Sequence, residues 1–414
     1  MREDEYVVGL DLGTTKVCAV VAQMVSSEES AHPKLNILGV GRAPSTGIKK
    51  GVVVNIENTV ESIRKAINEA QLMSGVNITK VVVGVAGSHI SGLNSTGVVG
   101  IKGREIEKGD IDRVIDAARA VAIPADRLAL HVLPQEYKID DQGGIRNPMG
   151  MMGTRLEAKV HMVTAAQSAI QNMSKCCDRA GVSVSQFVLQ PLASARAVLS
   201  QDEMELGVAL LDIGGGTSDL AIFHNGSIIH TAILPIGGYH VTQDLAIGLR
   251  TPQSEAEKLK IRAGCALKAM IDPDETIEVP SVGGRPARVV QRSLLGEIIE
   301  PRMEELFRLV NREIIACGCA DILGGGVVLT GGSTLISGCV ELAEFIFDLP
   351  VKRAAPEETS GFSDIVSSPI YSTAVGLAYW GAQNKSNYIR RSVPAGKTMS
   401  KLSSQIKSWF GDFF

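Results

Sequence analysis

The chain opens on a short apolar run, Tyr6–Leu10, which predicts a buried strand. It breaks at Asp11-Leu12-Gly13-Thr14-Thr15, and a second strand-like run, Val17–Val25, follows with no helix between. Ser26–Lys34 is polar, contains Pro33 and predicts a loop. Within Glu57–Met73, Val60, Ile63, Ile67, Ala70 and Met73 recur at helical spacing. Val81–Val85 is a β-branched strand. From 86 to 160 the texture changes to Gly, Ser and charged residues, with one helix predicted around Asp110–Ala122, stopped by Pro124. Val132–Ile139 reads as a strand, and Gly143-Gly144 and Asn147-Pro148 as turns, so this stretch predicts a small α+β insertion. The regular pattern resumes at Lys159–Thr164 with a strand and a helix. Val208–Leu211 is another buried strand, running into Asp212-Ile213-Gly214-Gly215-Gly216-Thr217-Ser218-Asp219, with strand-like Leu220–Phe223 directly after. Leu294–Ala316 predicts a helix, Gly326–Thr330 a strand ending in Gly331-Gly332-Ser333, and Ile370–Trp380 a helix. Asn384–Ser400 is polar and reads as a flexible linker.

One device therefore occurs twice: apolar strand, Asp-x-Gly-small-Thr turn, apolar strand. Asp11 and Asp212 lie 201 residues apart, about half the chain, which predicts two related halves. Glycines at a strand end let backbone amides converge into a nest for phosphate oxygens. Thr14, Thr15 and Thr217 add hydroxyl donors and Lys16 a cation. Asp11 and Asp212 accept only, which suits the waters around Mg²⁺. Neither turn leads into a helix, so neither is a P-loop or a dinucleotide fingerprint. One such turn is usually only a tight turn; its repetition points to two hairpins clamping one polyphosphate. The third turn, Leu329–Ser333, is a candidate base-side wall.

Composition sharpens this picture. The 414 residues exceed one ordinary core. Forty-one basic against 45 acidic residues leave −4, with no overall pull toward nucleic acid. The balance is uneven. Residues 385–414 hold Lys385, Arg390, Arg391, Lys397, Lys401 and Lys407 against Asp412, a net of +5, so the rest carries −9. The seven cysteines contain no C-x-x-C pair and read as reduced thiols rather than a zinc site or disulfide framework. The charged start predicts no secretory signal, and no run reaches transmembrane length.

Asp11–Lys16, Asp212–Asp219 and Leu329–Ser333 resemble the phosphate-1, phosphate-2 and adenosine motifs of the actin-like ATPases. Gln190–Ala195 resembles that superfamily's first connecting helix, where Gln190 matches the residue that orients attacking water, and Ala374–Ala378 the second. Ala256–Lys260 resembles its ribose-and-base segment, which implies Glu257 and Lys260 as contacts; read without the resemblance, it is a solvated helix face. Gly47–Ile63, Val83–His89, Val132–Tyr137, Ile261–Ala266, Ile299–Glu304 and Pro369–Leu377 narrow the resemblance to the FtsA family of bacterial cell-division actin homologues. The resemblance implies a two-lobed actin-like α/β fold with an inserted subdomain IC and a C-terminal amphipathic helix. The expected divisions are 1–85 for subdomain IA, 86–160 for IC, 161–205 for IA continued, and 206–225 with 294–365 for IIA. IIB takes 226–293, 366–384 returns to IA, 385–400 is linker and 401–414 the helix.

The implied ligand is ATP with Mg²⁺. Asp11 and Asp212 would hold metal waters. Gly13, Thr14, Thr15, Lys16, Gly214, Gly215, Gly216 and Thr217 would meet phosphates, Glu257 and Lys260 ribose, and Gly331, Gly332 and Ser333 the adenine side. Hydrolysis in that family is generally weak. In the tail, Leu402, Ile406, Trp409, Phe410 and Phe413 form one helical stripe with Lys401 and Lys407 away from its centre. That suits a helix lying in an anionic membrane interface. The family further implies self-association into filaments, the acidic C-terminal tail of FtsZ as partner near Arg302 and Arg308, and other division proteins on IC. It implies a place on the cytoplasmic face of the inner membrane at the division site. Rival readings are a pilus-assembly or cell-shape actin-like ATPase, a sugar or acetate kinase, and a DnaK-type chaperone. The kinase lacks an identifiable catalytic carboxylate, and the chaperone its following substrate domain.

Overall fold

The computed structural model describes residues 6–25, 34–283 and 285–391. The membrane stripe Leu402, Ile406, Trp409, Phe410 and Phe413 lies outside the described residues. Among those described, no helix is long and apolar enough to cross a membrane. All seven cysteines are free thiols.

The first lobe starts as an antiparallel meander, β1 (Val7–Leu12), β2 (Lys16–Val25) and β3 (Lys34–Pro44). Every residue of β1 is buried, because a central strand covered on both faces has no wet side. Helix α1 (Ile56–Ser74) begins where the Asn55 side chain accepts from the Asn58 N–H and ends at Gly75 in the left-handed region. It leads to β4 (Lys80–Val85), parallel to β1. The insertion follows: β5 (Ile90–Glu105), α2 (Lys108–Arg119), β6 (Arg127–Ile139), β7 (Gln142–Ile145) and β8 (Met152–Ala166), in spatial order β5-β8-β6-β7. Strand β8 runs past residue 160, the expected boundary, since Ala165 still pairs with Ile90. The chain returns through α3 (Gln167–Ala180) and β9 (Ser183–Leu189), parallel to β4, and crosses over on α4 (Gln190–Val198).

The second lobe repeats the plan. Strands β10 (Val208–Ile213), β11 (Ser218–His224) and β12 (Ser227–Leu234) form the meander. Helices α5 (Gly238–Leu249), α6 (Gln253–Ala263) and α7 (Ser293–Ala316) precede β13 (Val327–Thr330). Helix α8 (Cys339–Phe347) separates it from β14 (Val351–Arg353), and both strands are parallel to β10. The order β12-β11-β10-β13-β14 reproduces β3-β2-β1-β4-β9 of the first sheet. The related halves expected from the doubled turn are thus a doubled topology. The chain then adds β15 (Thr359–Gly361) beside β3 and ends on α9 (Ser372–Arg391). This helix runs into the 385–400 stretch expected as linker. No proline intervenes before Pro394, and Tyr379, Trp380 and Ala382 are buried.

The lobes are joined by α4 and α9 at backbone contact. A Cβ on Gly376 would fall 1.8 Å from the Ala193 carbonyl oxygen, so only glycine permits this crossing. A third connection was not foreseen. The insertion, covalently part of the first lobe, bonds to β12, the edge strand of the second. Gln135 Nε2 donates to the carbonyls of Ile228 (3.0 Å) and Ile229 (3.2 Å). His161 Nδ1 lies 2.7 Å from Asn94 Oδ1 and Nε2 lies 2.8 Å from Thr231 Oγ1. Asn94 donates its amide to Ile229, so its Oδ1 accepts and the ring proton sits on Nδ1. Nε2 then accepts from the Thr231 hydroxyl.

Burial, with His230 nearby, holds the His161 pKa down at about 4 against an ordinary 6.5. The docked ring stays neutral while an undocked one takes a proton. Its contribution to stability is therefore full above pH 6.5 and is lost as pH falls from 6.5 toward 4. Urea titrations at pH 7 and pH 5 should show a larger loss for the native chain than for His161→Gln. Equal losses would remove His161 from the acid response.

Candidate functional site

The two Asp-x-Gly turns close in the same way. Gly13 N–H donates to the Lys16 carbonyl at 3.0 Å, and Gly214 N–H to the Thr217 carbonyl at 3.0 Å. The tips face each other across the cleft and touch. A Cβ on Gly215 would lie 2.3 Å from Thr15 Cγ2, and one on Gly216 would lie 2.5 Å from Thr14 Oγ1. The second tip is also oriented from behind. Gly214 and Gly215 carbonyls accept from Gly238 N–H (3.0 Å) and Tyr239 N–H (2.8 Å) at the start of α5, and Ser333 Oγ donates to the Gly214 carbonyl at 2.8 Å. In a trans peptide the N–H points opposite its C=O. The Gly215 and Gly216 amides therefore point away from α5, free of the helix that pins their carbonyls.

The aspartates sit at matching places on the two lobes. Asp11 Oδ1 accepts from Gln190 Nε2 at 2.9 Å, and Lys16 Nζ stands 3.8 Å from Oδ2. Asp212 Oδ2 accepts from Ser194 Oγ at 2.6 Å and Thr373 Oγ1 at 3.1 Å. Helix α4 thus reaches the carboxylates of both lobes, and α9 joins it at Asp212. Burial pushes Asp11 up to about 6; Lys16 opposes this and Asp212 adds to it. Asp212 is also raised, by burial against its two hydroxyl donors. Asp219, directly opposite Asp212 in the hairpin register, is raised well above the usual range by burial and by Asp212. Its Oδ1 is buried without a hydrogen-bond partner.

Three desolvated carboxylates with Lys16 as the nearby cation make a site that a divalent cation would relieve. Among the described residues no group of three or more His, Cys, Asp or Glu could hold a metal directly. A hydrated Mg²⁺, bound through its waters, fits this donor set.

The other expected residues divide. Lys16 donates to the Ile370 carbonyl and lies over the Tyr371 ring at 5.5 Å, so it ties the first hairpin to the entry of α9 as well as flanking Asp11. Glu257 and Lys260 come together 2.7 Å apart, and Lys260 Nζ also donates to Gly238 O and Thr242 Oγ1, each at 3.0 Å. They and Ser333 therefore meet the start of α5 behind the second hairpin. Arg302 lies elsewhere, on α7. Its Nε and Nη2 grip Asp244 at 2.6 and 3.1 Å, and Nη1 bonds Glu305. Arg308 pairs with Glu304 at 3.0 Å and is the more exposed of the two.

Asp219, Ser194, Thr373 and the amides of Gly238 and Tyr239 were not identified from the sequence. Asp219 was within reach, since a four-residue turn sets positions i and i+7 opposite each other, as Asp212 and Asp219 are. Ser194 and Thr373 carry no such signal, because crossing helices bring them to Asp212 from 18 and 161 residues away.

Gly215→Ala should drive a Cβ into Thr15 and part the hairpin tips, at a cost of about 1–3 kcal/mol. Thr15→Ser, which deletes Cγ2, should return part of that loss in the double variant. Thermal unfolding checks this; a Gly215→Ala midpoint equal to the native one would refute the tip contact.

Comparison with known proteins adds the lineage. The family model described as "Cell division protein FtsA" matches residues 209–376, and "SHS2 domain inserted in FTSA" matches 87–164. The chain is 52% identical to cell division protein FtsA of Pseudomonas aeruginosa, covering 99% of this chain and 98% of the relative. It is 46% identical to that of Neisseria meningitidis serogroup B, covering 100% of each, and 41% identical to that of Escherichia coli K12, covering 98% of each. Among solved structures, the PilM-PilN type IV pilus biogenesis complex matches with a TM-score of 0.67 at 15% identity, over 91% of this chain and 98% of that one. MreB5 of Spiroplasma citri bound to ADP matches with a TM-score of 0.58 at 16% identity, over 94% and 100%. At such identities these two structures carry the fold alone.

Proposed function

The chain belongs to the FtsA family of cell division proteins, and from that premise we propose that it is a nucleotide-dependent tether between the division ring and the membrane. The observation that supports the nucleotide reading best is the pair of opposed glycine hairpins with a buried carboxylate behind each. ATP sits in the cleft, its phosphates on Gly13, Thr14, Thr15, Lys16 and Gly214–Thr217. Glu257 and Lys260 take the ribose, and Gly331, Gly332 and Ser333 border the adenine. Asp11 and Asp212, with Asp219 behind, hold the waters of Mg²⁺. The cation supplies charge neutralisation for the carboxylates and the phosphates together. Gln190, bonded to Asp11, is the residue placed to orient water, so hydrolysis rests on positioning and electrostatics rather than covalent chemistry.

The tail supplies the second half of the reading. Its aromatic stripe and lysines suit anionic lipid, and one short helix of this kind binds weakly. Self-association into filaments aligns many such anchors, and effective concentration then raises avidity. The FtsZ tail docks on the second lobe near α7. Because Arg302 already grips Asp244, an acidic peptide must compete for that guanidinium, and the more exposed Arg308 is the easier contact. The insertion serves later division proteins. The protein thus works on the cytoplasmic face of the membrane at the division site.

Two experiments test this. Asp212→Asn should weaken Mg-ATP binding in calorimetry by about tenfold or more, the scale of a lost charge-assisted contact; unchanged affinity removes Asp212 from the metal site. In a co-sedimentation assay with anionic liposomes, ATP and the FtsZ tail peptide, the full chain should pellet with lipid and peptide. A chain ending at Ser400, or carrying Trp409→Glu, should stay in the supernatant. Equal pelleting of the three would sink the anchor.

A further inference from the structure

The insertion makes one contact that its docking on the second lobe does not require. His131, on β6, is buried, and its Nε2 accepts the Leu189 N–H at 3.0 Å. Leu189 closes β9, the edge strand of the first sheet, whose one ladder partner among the described residues is β4, so this amide is left to bond outside the sheet. It is also the residue that caps α4, and as leucine it offers the helix no side-chain cap. An imidazole from the insertion thus satisfies a fully buried backbone donor at the helix start. The imidazole also packs in a T-shaped contact with Trp380 of α9, whose ring centroid lies 5.7 Å away at an interplanar angle of 64°. Accepting at Nε2 fixes the tautomer with its proton on Nδ1.

The next residue in the chain is Gln190, whose amide holds Asp11 at 2.9 Å. One turn further, Ser194 holds Asp212 at 2.6 Å. The start of α4 therefore decides where both lobes' carboxylates find their donors. We propose that His131 is a positioning residue of the nucleotide site, a part of the insertion that holds the Leu189 amide and through it seats Gln190 on Asp11. This rests on the nucleotide reading above and extends it to a residue outside the motifs. A buried histidine is often only a filled space in a core. Here its hydrogen bond goes to the backbone amide one residue before a site side chain, and the insertion also bonds the opposite lobe through His161 and Gln135. Movement of the insertion and occupation of the cleft are then linked, and the linkage is reciprocal.

The test uses the full chain and Mg-ATP calorimetry, with circular dichroism to confirm folding. His131→Leu removes the acceptor and should weaken Mg-ATP binding by about fivefold or more. His131→Gln carries an acceptor oxygen at nearly the place of Nε2 and should bind close to the native level. On a Gln190→Ala background, His131→Leu should add little, because its effect runs through Gln190. If the leucine variant does not fold, His131→Asn replaces it: it stays polar but falls short of Leu189, and should weaken binding while His131→Gln does not. Native affinity in the acceptor-less variant overturns the proposal. So does a glutamine variant as weak as the leucine one, or a full effect persisting without Gln190. If the native chain itself fails to bind Mg-ATP, the nucleotide reading falls and takes this proposal with it. If the native chain binds and Gln190→Ala weakens it while His131→Leu does not, only the positioning role fails.

Discussion

Buried carboxyls close enough for one to raise the other's pKa are costly, and this molecule is organised around keeping Asp11 and Asp212 in that condition. Each sits one residue before the end of a central strand of its own sheet, where burial strips away water and pushes its pKa upward. Neither is left without donors. Gln190 serves one, Ser194 and Thr373 the other, and all three donors come from the connecting helices rather than from the lobes themselves. Asp219 adds a third buried carboxyl with an unpartnered oxygen, its pKa raised well above the usual range by burial and by Asp212.

The same helices carry the mechanics. Helices α4 and α9 cross at backbone contact, with Gly376 against Ala193. Small residues there let two helices pass through a junction that must also deliver hydroxyls to Asp212. Because the donors ride on the junction, a change in the angle between the lobes changes the bonds at the carboxylates. The hairpin tips make this concrete: Thr14 and Thr15 of one lobe already touch Gly216 and Gly215 of the other.

The insertion is more than an appendage on the first lobe. It reaches the edge strand β12 of the second lobe through Gln135 and His161 and the edge strand β9 of the first through His131. Both histidines are neutral because burial holds their pKa values low, at about 3 for His131 and about 4 for His161. Neutral, tautomer-fixed rings give directional bonds at the edges of two sheets that, among the described residues, have no further strand hydrogen-bonded there.

The sequence alone determined the units. Apolar runs announced β1 and β10 as buried strands, and the Asp-x-Gly-small-Thr turns after them announced tight hairpins, because small residues let the chain reverse there. The repeat at 201 residues declared two like halves, and the altered texture from residue 86 declared an insertion, though not that β8 runs to Ala166 or that α9 runs to Arg391. What the tertiary structure decided is which distant residues meet. Ser194 and Thr373 at Asp212, His131 at Leu189, and Arg302 locked to Asp244 leave no mark on local periodicity. Hydropathy period and turn chemistry act over a few residues, whereas these contacts arise from two sheets and two crossing helices settling into one packing. The lone Ser, Thr or His that such packing selects looks, along the chain, like any other.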